Sequence, residues 1–320
     1  MSDFEASGPA AEFVVGSPVV ESVGPIAFSP DGVLFLADNV RAAIMAVDLS
    51  ADAGLSPAGE VEDLDGRLAA FLGCGRADVA VRDLAVHPLS GAAYLSVLRS
   101  AGGRQVPVVA RIGADGVISE VGLSGVKYLQ MLIDDAPTAD DEREDIRAVA
   151  DGDVEGQPVD IPAIGQTVWV AHDQLRATTV TDMAYVNGEL LLAGASNEEF
   201  VSTFRRIRFP FEGKAEAARL EIFHVSHGRY ETHSPVRTFA PYAGGASILA
   251  SYTCTPVVHF PLTDLVGGTR VVGRTVADLG ALSSPVDIIC YRRGDEEYVL
   301  VSHTRRPLMR LACRVIPAMA

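Results

Sequence analysis

The sequence lacks the signals of a membrane protein or of a secreted disulfide protein. No apolar run reaches about 18 residues, the length that a membrane-spanning helix needs. The first residues, MSDFEASGPAAEF, have neither the basic nor the apolar region of a secretory signal. The four cysteines (Cys74, Cys254, Cys290 and Cys313) are scattered and form no CxxC pair, which indicates reduced thiols. We therefore expect a cytoplasmic protein.

The chain is equally poor in motifs for common enzyme classes. It has no P-loop and no G-x-S-x-G elbow, and Gly73-Cys74-Gly75 is not followed by the third glycine of a dinucleotide loop. A single tryptophan in 320 residues disfavours a sugar-stacking groove. The 26 Lys and Arg against 42 Asp and Glu give a net charge of −16. This acidic balance opposes binding to nucleic acid or to an anionic membrane surface.

One strand pattern recurs along the chain. The five copies read PIAFS, DLAVH, DMAYV, RTFAP and DIICY and begin at Pro25, Asp83, Asp182, Arg237 and Asp287. A turn with a glycine follows each copy, at Gly32, Gly91, Gly188, Gly245 and Gly294, and leads into a second apolar strand. Third strands are predicted at 106–112, 202–208, 256–262 and 308–313, and fourth strands at 60–64, 117–122, 220–226 and 270–278.

Short repeated strands cannot bury their faces alone, but sheets arranged radially pack on one another and protect their edges. Repeats at intervals of roughly 50 to 60 residues are typical of a β-propeller. We predict an all-β propeller with five clear four-stranded blades, six or seven being the alternative, in one domain spanning residues 1–320. The strand at 12–20 is expected to pair into the last blade beside residues 314–317, so deleting residues 1–20 should destabilise the fold more than deleting 138–154.

One interval between repeats is much longer and strongly acidic. Residues 123–175 are predicted to be an insertion or a degenerate blade, with strands at 126–133 and 167–171. Ten Asp or Glu lie between residues 134 and 155 against Arg143 and Arg147. This composition favours an insertion with a short surface helix around residues 140–150.

The propeller geometry predicts where a site would form. Loops between blades and loops after each second strand meet on one rim of the central channel. Asp83, Asp182 and Asp287 begin inner strands, and Arg237 lies at or next to an equivalent position, which makes these four the candidate catalytic residues. The alternative is structural, because an aspartate at the start of an inner strand can accept hydrogen bonds from backbone amides of the next blade.

Histidines supply a candidate metal site on the same rim. His172, His227, His233 and His303 fall in predicted rim loops, and imidazole with carboxylate suits zinc, copper or iron. His87 follows an inner strand at the opposite end and is expected to take no part. Asp151, Asp153 and Glu155 resemble the first half of a calcium loop, but Pro162 stands where its bidentate carboxylate belongs.

The stretch GPIAFSPDGVLFLADN, residues 24–39, resembles the gluconolactonase-like and NHL-type propellers. In the lactonase-like enzymes a divalent metal is held in part by a Glu just before the Gly-Pro and by an Asp that ends the hairpin. The resemblance therefore implies that Asp38 is a metal ligand. Val23 stands where the glutamate would be.

Two functions follow from these patterns. The first is a small-molecule or metal site at the channel rim, with a metal-assisted enzyme as one form. A bound divalent or transition metal would polarise a substrate oxygen or activate water, with a channel aspartate as base. The alternative is a noncatalytic protein-protein interaction scaffold whose rim and acidic segment engage a basic partner.

Overall fold

In a computed structural model β-strands dominate the secondary structure of the chain. The structure describes residues 11–153, 155–162, 165–224, 229–231, 233–253, 256–278 and 283–315. Strands make up 53% of the chain and helical turns 9%, so the predicted all-β class is confirmed. In the part of the chain that is described, no helix is long and apolar enough to cross a membrane.

The strands are short and follow one another closely along the chain. The first twelve are β1 (Val14–Gly16), β2 (Ile26–Phe28), β3 (Val33–Asp38), β4 (Ala43–Asp48), β5 (Val79–Val86), β6 (Ala93–Ala101), β7 (Arg104–Ile112), β8 (Ile118–Glu120), β9 (Val126–Leu132), β10 (Glu144–Ala148), β11 (Gln157–Ile161) and β12 (Gln166–Gln174). The second twelve are β13 (Asp182–Val186), β14 (Glu189–Ala195), β15 (Ser202–Arg208), β16 (Glu212–His224), β17 (Arg229–Glu231), β18 (Thr238–Tyr242), β19 (Ser247–Ser251), β20 (Pro256–Pro261), β21 (Arg270–Asp278), β22 (Pro285–Arg293), β23 (Glu296–His303) and β24 (Met309–Ala312). The α-helix α1 spans Leu64–Leu72, and 3-10 turns lie at Ser50–Gly54, Arg76–Asp78, Leu175–Thr178, Ala243–Gly245 and Cys313–Val315.

Each of the five repeated motifs forms the first strand of an antiparallel meander. These first strands are β2, β5, β13, β18 and β22, and each pairs with the strand that follows it. All five predicted turn glycines have positive φ angles, between 63° and 86°. At Gly32, φ is 84° and its amide donates to the carbonyl of Ser29 at 3.0 Å. A side chain would be strained in this conformation, so glycine is what lets the hairpin close.

The chain divides into two compact units, residues 1–134 with 207–214 and residues 135–206 with 215–320. In the first unit, one sheet has the order β1-β9-β4-β3-β2 and another the order β5-β6-β7-β8. Leu34, Leu36 and Met45 of the first sheet form one buried cluster with Tyr94 and Val109 of the second. The expectation of a single propeller domain stays a prediction.

The described residues of the second unit form three sheets. Strands β13 to β16 and β18 to β21 form one large sheet, joined where β16 runs parallel to β21. The other two have the orders β10-β12-β11 and β22-β23-β24. One core cluster includes Leu191, Phe204 and Phe260, and a second includes Ile288 and Val301. Apolar faces of neighbouring meanders therefore pack on each other, as blades do.

Three local predictions were wrong. Residues 60–64 form no strand; helix α1 begins at Leu64, because Leu64, Leu68 and Leu72 repeat every four residues and cover the β5–β8 sheet. The fourth strand next to β4 is instead β9, which returns after the second meander is complete.

The other two concern the acidic segment and the N-terminal strand. Residues 144–148 form strand β10 rather than a helix, because they pair with β12 from Glu144↔Gln174 to Ala148↔Val170. Strand β1 pairs with β9, from Val14↔Tyr128 to Gly16↔Val126, and so extends the first sheet rather than the last.

Candidate functional site

Asp38, the metal ligand implied by the resemblance, is completely buried and accepts hydrogen bonds from its own chain. One carboxylate oxygen accepts the amide of Glu21 at 2.7 Å, and the other accepts the hydroxyl of Ser22, also at 2.7 Å. A further amide, that of Arg41, donates at 3.2 Å. These contacts fix the segment that enters β2 to the end of β3. Val23 is 3% exposed and lies in the core beside it.

Two of the candidate catalytic aspartates join neighbouring meanders. Asp83 in β5 accepts the amide of Ile26 in β2 at 2.7 Å. Asp182 in β13 accepts the amide of Phe239 in β18 at 2.6 Å. Each also accepts the amide of the residue that follows it, at 2.7 Å. The structural role that the sequence left open is thus present at both positions, while their catalytic role stays a prediction.

The third aspartate makes a similar connection through a threonine. Asp287 in β22 accepts the amide of Ile288 at 2.7 Å and the hydroxyl of Thr238 at 3.2 Å. The Thr238 hydroxyl in turn accepts the Ile288 amide at 3.1 Å. In the strand registers Thr238 opposes Ser251 as Asp287 opposes Ser302. Thr238, rather than Arg237, therefore occupies the position of the aspartates in the fourth copy of the motif.

Arg237 contacts the acidic segment. Its guanidinium lies 2.5 Å from the carboxylate of Asp145 in β10, and the two side chains are 9% and 5% exposed. Its Nε donates to the Thr253 hydroxyl at 2.6 Å. Sequence reasoning missed this partner, because the acidic stretch was interpreted from its charge. The alternation of Asp145 and Arg147 with Ile146 and Ala148 was the available signal for a strand.

The histidines of the predicted metal site have different environments. His172 is exposed and its Nδ1 lies 2.9 Å from the carboxylate of Glu144. His233 is exposed, and His227 lies outside the described residues. Within the described ranges, no three His, Cys, Asp or Glu side chains are grouped as a metal site would need. The metal ligands therefore stay predictions.

His303 is the unusual member of this set. Both of its ring nitrogens are covered, and neither has a hydrogen-bond partner in the part of the chain that the structure describes. Burial, reinforced by the charge of Arg306, lowers the pKa of His303 from its ordinary 6.5. The imidazole is therefore neutral at pH 7 and keeps a free lone pair.

His87, expected to lie outside any site, is completely buried. Its Nδ1 accepts the Ser90 amide at 3.2 Å, its Nε2 lies 3.3 Å from the Leu49 carbonyl, and the ring packs edge-on against Phe28. A His87 variant would lose these contacts and with them stability. It is therefore unsuitable as a neutral control.

Two of the cysteines, Cys290 and Cys313, do not behave as activated nucleophiles. Burial raises the pKa of Cys290 to about 12 and that of Cys313 to about 11, and the nearby carboxylate of Glu297 adds to both. Cys313 and Glu297 line a surface cavity of about 340 Å³ together with Tyr242. Both thiols are protonated at neutral pH, whereas the thiolate is the reactive form.

The acidic segment is largely neutralised within the chain. Arginine and lysine side chains pair with six of its ten acidic residues: Asp134, Asp135, Asp141, Asp145, Asp151 and Glu155. Among these pairs, the arginine that binds Asp135 is the most deeply buried. Arg205 is completely buried, and its Nε donates to Asp135 at 2.7 Å. The segment is therefore a docked part of the fold rather than a free charged loop.

Comparisons with known proteins find similar structures but do not identify a family. No family model matches the chain, and no curated protein is similar to it in sequence. A streptogramin B lyase structure is 12% identical, covers 93% of this chain and 86% of its own, and has a TM-score of 0.34. Virginiamycin B lyase from Staphylococcus aureus is 11% identical, with coverages of 94% and 88% and a TM-score of 0.34. The Cps50 (Swd1) beta-propeller domain of Myceliophteria thermophila is 9% identical, with coverages of 91% and 83% and a TM-score of 0.34.

Because identity and TM-score are this low, these structures give no information about the function of the chain. The sheets themselves carry the classification, since five copies of one motif each start an antiparallel meander. The protein is therefore an all-β protein built from repeated antiparallel meanders, the kind of unit from which the blades of β-propellers are made.

Proposed function

We propose that the protein is a noncatalytic interaction scaffold that binds a protein partner. This proposal is supported by the hydrogen bonds that the candidate catalytic carboxylates form within the protein. Asp83 and Asp182 each accept a backbone amide from a neighbouring meander, and Asp287 accepts the hydroxyl of Thr238. All three hold strands together, which is the work of structural groups.

The charge of the chain bears on the chemistry of the partner. A net charge of −16 creates a negative field that attracts basic surfaces and accelerates their association at low ionic strength. Because basic side chains of the chain itself already neutralise most of the acidic segment, this attraction comes from the surface as a whole. We therefore propose a partner with a basic surface.

A photo-cross-linking residue at Val286 tests the scaffold role. Val286 is 60% exposed at the start of β22, on the predicted rim, and Val272, 54% exposed on β21, is the matched control. The scaffold role predicts one discrete protein adduct from position 286 and none from position 272. The adduct should persist in Asp182→Asn and Asp287→Asn variants that remain folded.

Two results would refute the scaffold. One is equal labelling from positions 286 and 272, which indicates nonspecific contact. The other is the absence of any adduct from position 286 when cross-linking is carried out in the native cell extract at low salt, where charge attraction is strongest.

The unpartnered imidazole of His303 favours a second candidate, a metal or small-molecule site on the rim. A neutral imidazole is a common ligand of zinc, copper and iron, and a bound cation could polarise a substrate oxygen. Asp182 and Asp287 remain the proposed bases, with His172, His227 and His233 as further proposed ligands.

Metal analysis of protein purified without chelator tests this candidate. Stoichiometric metal in the parent that falls in a folded His303→Ala variant would support it. Replacement of Glu12, an exposed residue of the N-terminal segment, is the control and should leave the metal content unchanged. Full occupancy in His303→Ala would remove His303 from the site.

A further inference from the structure

Strand β10 of the acidic segment is seated on four polar residues that flank strand ends in the second unit. Arg237 precedes β18, Thr253 follows β19, Ser284 precedes β22, and Arg305 follows β23. Antiparallel pairing brings these four ends to the same side of adjacent meanders. We call Arg237, Thr253, Ser284 and Arg305 the β10-docking site.

The docking site contacts both the side chains and the backbone of the acidic segment. Arg237 lies 2.5 Å from the Asp145 carboxylate and donates to the Ile146 carbonyl at 3.4 Å. The Ala148 amide donates to the Ser284 hydroxyl at 3.1 Å. Past the strand, Arg305 lies 3.0 Å from the Asp151 carboxylate.

The site is also organised internally. The Thr253 hydroxyl accepts from Arg237 Nε at 2.6 Å, and the Ser284 hydroxyl donates to the Thr253 carbonyl at 3.3 Å. The Ser284 amide donates to the Thr304 hydroxyl at 3.1 Å. A guanidinium held by a second group loses little freedom when it binds a carboxylate, and arginine suits this planar acceptor.

These contacts have the form of peptide recognition. The segment presents an extended backbone that both accepts and donates a hydrogen bond, with one carboxylate for each arginine. Extended peptides are commonly bound through such main-chain hydrogen bonds together with side-chain contacts that give specificity. The geometry therefore describes an acidic peptide, and the chain supplies it from its own sequence.

Two features indicate that β10 can be exchanged. Among the described strands it is an edge strand of its three-stranded sheet and pairs with β12, so it can leave without breaking the middle of a sheet. Its fit is also incomplete, because the buried Asp145 oxygen nearest Arg237 forms no well-directed hydrogen bond within the described residues. A ligand with better geometry would gain a charge-assisted hydrogen bond that β10 lacks.

We propose that the β10-docking site binds an extended acidic segment of a partner protein, and that β10 fills the site in cis when the partner is absent. This inference rests on the proposed scaffold role and adds to it the chemistry of one partner segment. The basic surface proposed above and this acidic segment would belong to different parts of the partner. A tethered strand competes at a millimolar effective concentration, so the intact protein binds such a segment weakly.

A peptide-binding experiment on the full chain tests the proposal. The probe is a fluorescent peptide with the sequence of residues 143–152, REDIRAVADG, titrated with protein while anisotropy is recorded. The parent protein should bind it weakly, because β10 occupies the site. The Asp145→Asn, Asp151→Asn variant, whose own strand has lost both carboxylates, should bind it at least tenfold more tightly.

Matched controls separate the site from general charge. Adding Arg237→Gln and Arg305→Gln to the double variant should abolish binding. Adding Arg219→Gln and Arg314→Gln, at two arginines that pair with Glu198 and Glu296 elsewhere, should leave it unchanged. A scrambled peptide of the same composition should not bind. Equal binding by the scrambled peptide, or no binding by a folded double variant, would overturn the proposal.

If the double variant does not fold, amide hydrogen exchange of the parent protein tests whether β10 leaves the docking site. The proposal expects the amides of β10 to exchange at least tenfold faster than those of β19, through local opening. Exchange of β10 only at the rate of β19 would mean that the strand never leaves, and would overturn the proposal. If the peptide binds but position 286 gives no adduct in the cell extract, the scaffold role is refuted and the β10-docking site stands. If position 286 gives an adduct but the peptide does not bind, only the β10-docking site is refuted.

Discussion

The guanidinium of Arg237 and the carboxylate of Asp145 lie 2.5 Å apart with 9% and 5% of their side chains exposed. Arg237 immediately precedes strand β18, and Asp145 belongs to β10 of the acidic segment. This buried pair joins the acidic segment to the repeated meanders. Arg237, which the sequence predicts to be catalytic, therefore also has a structural contact, and the effect of its loss on the free energy of unfolding can be measured.

Arg237→Gln is expected to destabilise the protein by about 3 to 5 kcal/mol, because it leaves the Asp145 carboxylate buried without its cation. Arg305→Gln should cost less than about 1 kcal/mol, since its partner Asp151 is 60% exposed and such pairs contribute little. Urea unfolding of both variants measures the difference. Equal losses of unfolding free energy in the two variants would show that burial does not make the Arg237 pair more important for stability than the exposed Arg305 pair.

Asp83→Ala is expected to cost about 1 to 3 kcal/mol, because the amides of Ile26 and Leu84 lose the acceptors they now have at 2.7 Å. Asp83→Asn keeps one acceptor oxygen and should cost less. The order of the two variants in thermal unfolding checks this. If Asn is as harmful as Ala, the negative charge rather than the acceptor geometry is what the fold requires.

Stability is expected to fall as the pH is lowered through about 6.5. Burial, with the charge of Arg274, lowers the pKa of His259, and burial with Arg306 lowers that of His303, each from 6.5. Above 6.5 both histidines are neutral in the folded and unfolded chains. Below it the unfolded chain takes up protons that the folded chain does not, and this favours unfolding until the folded pKa is reached.

Urea midpoints at pH 7.5 and 5.5 measure this dependence. A His259→Gln variant should lose less stability between the two pH values than the parent. His233→Gln, at an exposed histidine, is the control and should follow the parent. An unchanged pH dependence in His259→Gln would assign the effect to other groups.

Deleting the acidic strand is expected to cost more stability than deleting the N-terminal strand, the reverse of the order that the sequence suggests. Removing residues 138–154 eliminates β10 and with it the carboxylate of Asp145 that pairs with Arg237. Removing residues 1–16 eliminates β1, in which Val14 and Val15 are 53% and 72% exposed at a sheet edge. Thermal unfolding of both truncated chains checks the order, and a larger loss from the N-terminal truncation would contradict it.

The repeats could be predicted from the sequence because their signals are local. A turn with Pro30, Asp31 and Gly32 constrains its own backbone, and alternating apolar residues define a half-buried strand wherever they occur. The third strands at 202–208 and 256–262 were therefore found within a residue, and 270–278 coincides with β21. The helix at 64–72 was missed although its leucine spacing is equally local, because a fourth strand was expected there.

By itself the sequence determined the all-β class, the five meanders and the turns between their first two strands, since neighbouring residues decide each of these. Only the tertiary structure decided that β9 rather than residues 60–64 completes the first sheet, that β1 joins that sheet, and that Asp145 meets Arg237. Strand pairing and ion pairing depend on which segments meet across long stretches of chain. Loop closure costs similar entropy for many such partners, so no short stretch of sequence specifies the choice.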